Sequence, residues 1–555
     1  MRRTRAVVAT LVAALVLTRP LTPPVAEAQG TPKLVVLLMV DQMRADYLDR
    51  YGANLPSGFK RLETSGAWFT HASLPYMNTV TCAGHTTAGT GTFPYQHGMI
   101  MNAWISRELE ASETCTEDAA TSIVGYGSFK GTSDSAKRML RPTLAELLRK
   151  DRGGRVVTLS LKARSAIGMA GHGGDAVLWF DDRGGFVSST AFAKAPEPSI
   201  LAYVKAHPIE KAKGTEWTRT LPAARYQYDD DIATERPTLG WGVAFPHAYG
   251  TDDTTFYGRW QQSPLSDEYL EQMAEAAIEG MHLGAASGTD FLGVGFSALD
   301  LVGHIYGPRS HEVQDVLVRL DATIGRLLDF LDAHVGKDNY VLALSADHGV
   351  SDIPEQVGGA RMSSAEPVVK AIDEALRGVF ADAPPRDVRD VIRPFTGDGI
   401  YVAGVTNSDV YFRAGVYDRL KKDDRAMTAV MDALGQIPAI ARVVRGETLT
   451  SAAARTSPDP VVRAAALSYV DGRSGDLVLV LNENALLAAN AANHGTAYDY
   501  DQEIPLLLYG PGMRAGHYAT TPASPADIAV TFAERVGLTI PKADGHSLTA
   551  IMNAR

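Results

Sequence analysis

Four apolar runs in this chain stop at a polar or charged residue, and no other feature limits the fold as much. Residues 33–40 (KLVVLLMV) run into Asp41, and residues 155–161 (RVVTLSL) run into Lys162. Residues 290–296 (DFLGVGF) are followed by Asp300, and residues 340–345 (YVLALS) by Asp347 and His348. An unbroken apolar run of this kind suits a strand buried on both faces. Between the runs the apolar spacing turns helical, at 141–149 and most clearly at 313–331. Strands alternating with helices predict an α/β fold: a doubly wound, mainly parallel sheet with helices on both faces. In such sheets ligands bind beyond the carboxyl ends of the strands. Four polar residues placed alike on four strands therefore predict one shared crevice. Residues 476–481 and 504–509 read as two more strands, the second starting late or lying at an edge because of Pro505.

The 555 residues exceed one ordinary domain. Two stretches break the alternation. Residues 173 to about 267 are rich in Pro, Trp, Tyr and Asp. Residues 351–474 carry helical patterns at 368–379 and 418–434 and a short strand at 399–405. Both are expected to be insertions that cap the crevice. The expected organisation is a signal peptide at 1–28, then core at 29–172, a cap insertion at 173–285, core at 286–350, a second cap insertion at 351–474 and core at 475–555. The leader has a basic start (MRRTR), an apolar stretch at 6–18 and the small-x-small site Ala26-Glu27-Ala28. Its apolar part is too short to span a bilayer, and Pro20, Pro23 and Pro24 follow it. No stable membrane anchor is expected, and the mature protein should be periplasmic or secreted, in a bacterium. A net charge of −11 argues against nucleic-acid binding. It does not exclude an anionic substrate, because a metal can set the local field. The oligomeric state stays open, a single chain being compatible with the sequence.

The stretch 76–102 (YMNTVTCAGHTTAGTGTFPYQHGMIMN) places Thr81 before a run of small residues. Such a run can begin a tightly packed helix. A hydroxyl there faces unpaired N–H groups and the positive end of the helix dipole, a field that favours an alkoxide and the anion it attacks. Taken alone, Thr81 reads equally as an N-cap. The chain's two cysteines, Cys82 and Cys115, could pair in an oxidising compartment, which sequence alone does not decide. Cys82 reads better as a small buried residue under the helix start than as a nucleophile.

Asp41, Asp300, His304, Asp347, His348 and His494 form a carboxylate and imidazole set without thiolates, which suits zinc. Asp300 and His304 stand four apart, on one helical face. Asp347 and His348 are adjacent and would serve one metal only if the chain turns there. Taken singly, each is a helix cap or an ordinary histidine. Lys162 and Arg164 stand two apart and would face one side of an extended chain. Two cations in one crevice suit a dianion.

Together these residues resemble the alkaline phosphatase superfamily, whose members hold two metals about 4 Å apart for in-line phosphoryl transfer. Asp41, Thr81, Asp300, His304, Asp347, His348 and His494 follow its pattern in order over the mature chain. The stretch from Thr81 to Asn102 is similar to the branch shared by nucleotide pyrophosphatase/phosphodiesterases and threonine-dependent alkaline phosphatases, and the Lys162-x-Arg164 pair is similar to the latter, known from flavobacteria and sphingomonads. The resemblance implies two Zn2+ ions, one with Asp41, Asp347 and His348 and also engaging Thr81, the other with Asp300, His304 and His494. It implies a Thr81 nucleophile, with Asn102, Lys162 and Arg164 holding the phosphoryl oxygens of small-molecule phosphate monoesters. A phosphodiesterase of the same fold is the alternative, opposed by the two cations, since a diester carries one charge fewer. An arylsulfatase would need a Cys-x-Pro-x-Arg run, and Cys82 is followed by Ala83, Gly84, His85 and Thr86. A cofactor-independent phosphoglycerate mutase would lack the leader. An exported phosphate-binding protein would need neither metal nor nucleophile.

Overall fold

The run ending at Asp41 lies at the middle of a ten-stranded sheet in the computed structural model. The structure describes residues 30–127, 129, 131–182, 184–377, 379–380 and 399–553. The leader expected at 1–28 lies outside them. The strands are β1 (Leu34–Val40), β2 (Ala67–Trp68), β3 (Ile123–Gly125), β4 (Val156–Ser160), β5 (Ala176–Asp181), β6 (Gly185–Ser189), β7 (Asp290–Phe296), β8 (Tyr340–Ser345), β9 (Leu506–Tyr509) and β10 (Gly516–His517). Their order is β10-β2-β9-β8-β1-β7-β4-β5-β6-β3. The central block β8-β1-β7-β4-β5 is parallel throughout. Its inner strands are wholly buried, as their unbroken apolar runs require.

Register levels the strand ends. Met39 lies opposite Ser345, and Gly295 opposite both Met39 and Ser160. Two residues further along each chain stand Asp41, Asp347 and Lys162, side by side at one rim. Helices α1 (Gly58–Ser65), α2 (Thr81–Thr90), α3 (Leu144–Arg152), α4 (Ala163–Ala170), α5 (Pro264–Gly280), α6 (Ala298–Tyr306) and α7 (His311–His334) follow in chain order. α2, α3 and α4 pack on one another, and α5 packs on α7, which packs on α1. Both α4 and α5 touch β4 and β7, so the two layers cover opposite faces.

The large sheet matches the expected class, with three corrections. The strand at 176–181 and its antiparallel partner at 185–189 belong to the large sheet, so the range 173–285 is not all cap. Leu477–Leu481, expected in the core, instead pairs with Asp409–Phe412 and Ile440–Arg445. With Val402–Thr406 they make a four-stranded antiparallel sheet whose apolar core is separate from the large one. An apolar strand fits either sheet equally well; only pairing decides. β9 does start late, at Leu506 after Pro505, but it lies between β8 and β2 and is not an edge. From Thr31 onward the chain forms one compact unit. No helix among the described residues is long and apolar enough to cross a membrane.

Candidate active site

Thr81 is the first helical residue of α2, and Val80 before it, with extended backbone, is the N-cap. Thr81 is therefore not the cap, and its hydroxyl is free for other work. It is 1% exposed, and its Oγ1 lies 3.5 Å from His348 Nε2. Gly84 lets the helix reach this position: a Cβ there would sit 2.2 Å from the Asp347 carbonyl oxygen. Cys82 and Cys115 form a disulfide. The Cys82 N–H donates to Asn102 Oδ1 at 2.9 Å, and the Cys115 N–H donates to the Asn102 carbonyl at 2.9 Å. Asn102 is thereby held beside the start of α2. His97, further along the same stretch, accepts from the Met99 N–H at 3.1 Å and bonds Thr87 through Nε2 at 3.2 Å. Burial pushes its pKa down to about 3, so it braces the helix as a neutral ring.

Two groups of donors close on one point each: Asp41, Asp347 and His348, and Asp300, His304 and His494. These are the six ligand positions expected from the sequence, in the same two sets. The chain turns after β8, so Asp347 and His348 do converge. His348 Nε2 lies 3.4 Å from Asp41 Oδ1 and 3.4 Å from Asp347 Oδ2. Both oxygens are buried without a hydrogen-bond partner among the described residues. His304 Nε2 lies 3.2 Å and His494 Nε2 3.7 Å from Asp300 Oδ1. The three Nδ1 atoms all engage backbone carbonyls: Gly349 at 2.9 Å, Ala492 at 3.0 Å and Thr79 at 2.8 Å. Each Nδ1 then carries the proton, and each Nε2 offers its lone pair inward. Orphaned carboxylate oxygens at His348, and two further imidazole nitrogens turned to Asp300, fit a pair of divalent cations. The His348 and His494 rings stack at 3.5 Å between centroids, so the two groups adjoin.

The charges agree with that fit. Burial, with the Asp300 and Asp347 charges close by, pushes the Asp41 carboxyl well above the usual range. Burial opposes ionisation of Asp300 as well, but Lys162, His304 and His494 hold it well below that range. Burial, helped by the two neighbouring histidines, keeps His494 neutral, and burial also lowers His348; at His304 burial acts the same way but the Asp300 carboxylate outweighs it and raises the pKa of the ring.

Lys162 links the two groups. Its Nζ lies 2.5 Å from Asp41 Oδ2 and 2.5 Å from Asp300 Oδ2. Lys162 is the N-cap of α4 and Arg164 lies in its first turn, so the pair does not share an extended chain as expected. Arg164 is part-buried, and its Nε has no hydrogen-bond partner among the described residues. Two further residues belong to the site that sequence reading missed. Gln42, buried and left-handed at φ 68, donates its N–H to Asp347 Oδ1 at 3.1 Å and its Nε2 to Asp300 Oδ1 at 2.7 Å. His85, one turn into α2, sets its Nδ1 3.1 Å from Asp347 Oδ2 and 3.1 Å from the Thr81 carbonyl. Their only sequence signals are adjacency to Asp41 and the i,i+4 step from Thr81.

A family model described as type I phosphodiesterase / nucleotide pyrophosphatase matches residues 35–502. Alkaline phosphatase PafA of Elizabethkingia meningoseptica is 30% identical over 94% of this chain and 94% of its own. Alkaline phosphatase PhoV of Synechococcus elongatus is 30% identical over 87% of this chain and 86% of its own. The crystal structure of wild-type PafA superposes with a TM-score of 0.82 at 29% identity, covering 94% of this chain and 99% of that one. The chain belongs to the type I phosphodiesterase / nucleotide pyrophosphatase family, within the alkaline phosphatase superfamily, and is an enzyme that hydrolyses phosphate esters.

Proposed function

We propose that the protein is an exported alkaline phosphatase that hydrolyses phosphate monoesters through a phosphothreonine at Thr81. The observation that carries this reading is the pair of donor groups closing beside the Thr81 hydroxyl. Two divalent cations, zinc by the donor chemistry, would supply Lewis acidity there, held by Asp41, Asp347 and His348 and by Asp300, His304 and His494. Thr81 Oγ1 attacks phosphorus; the Thr81 O–P bond forms, the bond to the alcohol breaks, and the alcohol oxygen takes up a proton. Water then attacks phosphorus from the vacated side; its O–P bond forms, the Thr81 O–P bond breaks, phosphate leaves, and a proton from the water passes to the Thr81 oxygen. Asn102, Lys162 and Arg164 hold the non-bridging oxygens, where charge must be stabilised. Alkaline phosphatase is what the relatives PafA and PhoV are called, and that supports a monoester substrate here. The family description favours diesters instead; Lys162 and Arg164 weigh against that, because a diester offers one anionic oxygen fewer. The insertion expected at 351–474, whose strands share the small sheet with Leu477–Leu481, is read as a cap over the crevice.

Acid quenching during turnover, followed by peptide mass spectrometry, tests the nucleophile. Phosphate should map to Thr81. Thr81→Ala should lose at least about a thousandfold in kcat/KM, while Thr81→Ser keeps much of the rate because the hydroxyl survives. Phosphate on another residue, or an unchanged Thr81→Ala rate, would refute the assignment.

A further inference from the structure

His494 belongs to two places at once. Its Nε2 faces Asp300, and the chain after it, through Gly495, Thr496 and Ala497, forms one wall of a pocket outside the donor groups. The small sheet lines it as well, with Leu479 and Leu481, together with Leu486 of the short strand Leu486–Leu487 and Met77. These side chains are apolar, and the pocket, about 80 Å3 in volume, opens to solvent at its mouth, where a ring can enter from outside. Polar residues line it too: Asn407, Ser408, Asn493, Thr496 and Tyr498. Ser408 is 6% exposed, lines the pocket, and its Oγ has no hydrogen-bond partner among the described residues. Buried hydroxyls in native proteins are nearly always paired with protein or water, so Ser408 has a hydrogen bond to offer at this wall. It follows Asn407, which takes the left-handed backbone at φ 50 that asparagine tolerates, and this turn brings Ser408 to the wall.

Thr81 stands by His348, so an in-line displacement sends the alcohol away from Thr81, toward the group that includes His494. We propose that the pocket beside His494 binds the organic part of the ester and selects monoesters of apolar, ring-bearing alcohols, with Ser408 donating to a polar atom on the ring. The proposal rests on the monoesterase reading above. It makes the small sheet part of substrate selection, since Leu479 and Leu481 reach the leaving group although that sheet holds no donor residue.

The test uses the full chain loaded with zinc and has two readouts. The first is kcat/KM for ethyl phosphate and 2-phenylethyl phosphate, whose alcohols leave with similar ease. The phenylethyl ester should be favoured at least about tenfold, the scale by which apolar pockets discriminate. Ala497→Trp, which fills the pocket from a part-exposed position, should bring the ratio close to one. The second readout is calorimetric affinity for benzylphosphonate against methylphosphonate, which needs no turnover and should differ at least about tenfold. Ser408→Ala should weaken 4-pyridylmethylphosphonate by about tenfold and leave benzylphosphonate alone. Absence of all monoester hydrolysis would sink the monoesterase reading, while the phosphonate affinities would still decide the pocket. Equal phosphonate affinities, or a phenylethyl preference that survives Ala497→Trp, would overturn it.

Discussion

Lys162 balances two carboxylates, and its charge can serve either them or a substrate. Cations on both donor groups would take over the charge balance of Asp41 and Asp300, and the ammonium would then be available to a phosphoryl oxygen, as proposed. Arg164, one helical position beyond Ala163, has donors to add. Charge-assisted hydrogen bonds contribute about 1.5–3 kcal/mol each. Lys162→Ala/Arg164→Ala should therefore lower kcat/KM for an aryl phosphate by roughly two to four powers of ten. Its methyl diester should lose far less. Equal losses on both substrates would show that the pair builds the site without selecting the monoester. Asp41, Lys162 and Asp347 could be placed from sequence because each ends an apolar strand. Gln42 could not: its reach to Asp300 depends on a left-handed backbone and on a residue 258 positions away. His494 sits in a loop, so the sequence offered it as a candidate ligand without a strand end or helical spacing to place it.

Two elements set the site's geometry by close approach. α2 touches the end of β8 because residue 84 has no side chain, so Gly84→Ala should push Thr81 away from His348. Activity should fall at least about tenfold with the chain still folded by circular dichroism, a misplacement effect. Unchanged activity would mean that the helix is not held where it stands. α6, which carries Asp300 and His304, starts on Asp267, whose Oδ1 accepts the Ser297 and Ala298 N–H groups at 2.9 and 3.2 Å. Burial pushes the Asp267 pKa up to about 7, and its Oδ2 has no partner among the described residues. In the native state this carboxyl keeps its proton where the unfolded chain has lost it. Its contribution to stability is thus intact below pH 4 and declines as pH rises from about 4 to about 7. Asn mimics the protonated form, so the Tm of Asp267→Asn relative to wild type should rise over that window. A constant difference would contradict the shift. The strand–helix alternation made these elements legible. The hairpin at 176–189 was hidden because its neighbours are rich in Pro, Trp and Asp, and Leu477–Leu481 was misplaced because apolar strands do not declare their partners.

Across the whole molecule, three buried carboxylates, Asp41, Asp300 and Asp347, crowd around one ammonium. Their net negative charge favours bound cations over an empty crevice. Chelation should lower the Tm of the purified protein and abolish activity, and zinc should restore both. A Tm and a rate that survive removal to below one metal per chain would end the two-cation reading.

The donors run from Asp41 to His494, and the first group is complete only at His348. A nascent or truncated chain that ends before residue 494 lacks one corner of the second group, however well its sheet has formed. If both groups hold cations, catalytic output would report that synthesis had passed residue 494 and that segments far apart in the chain had met.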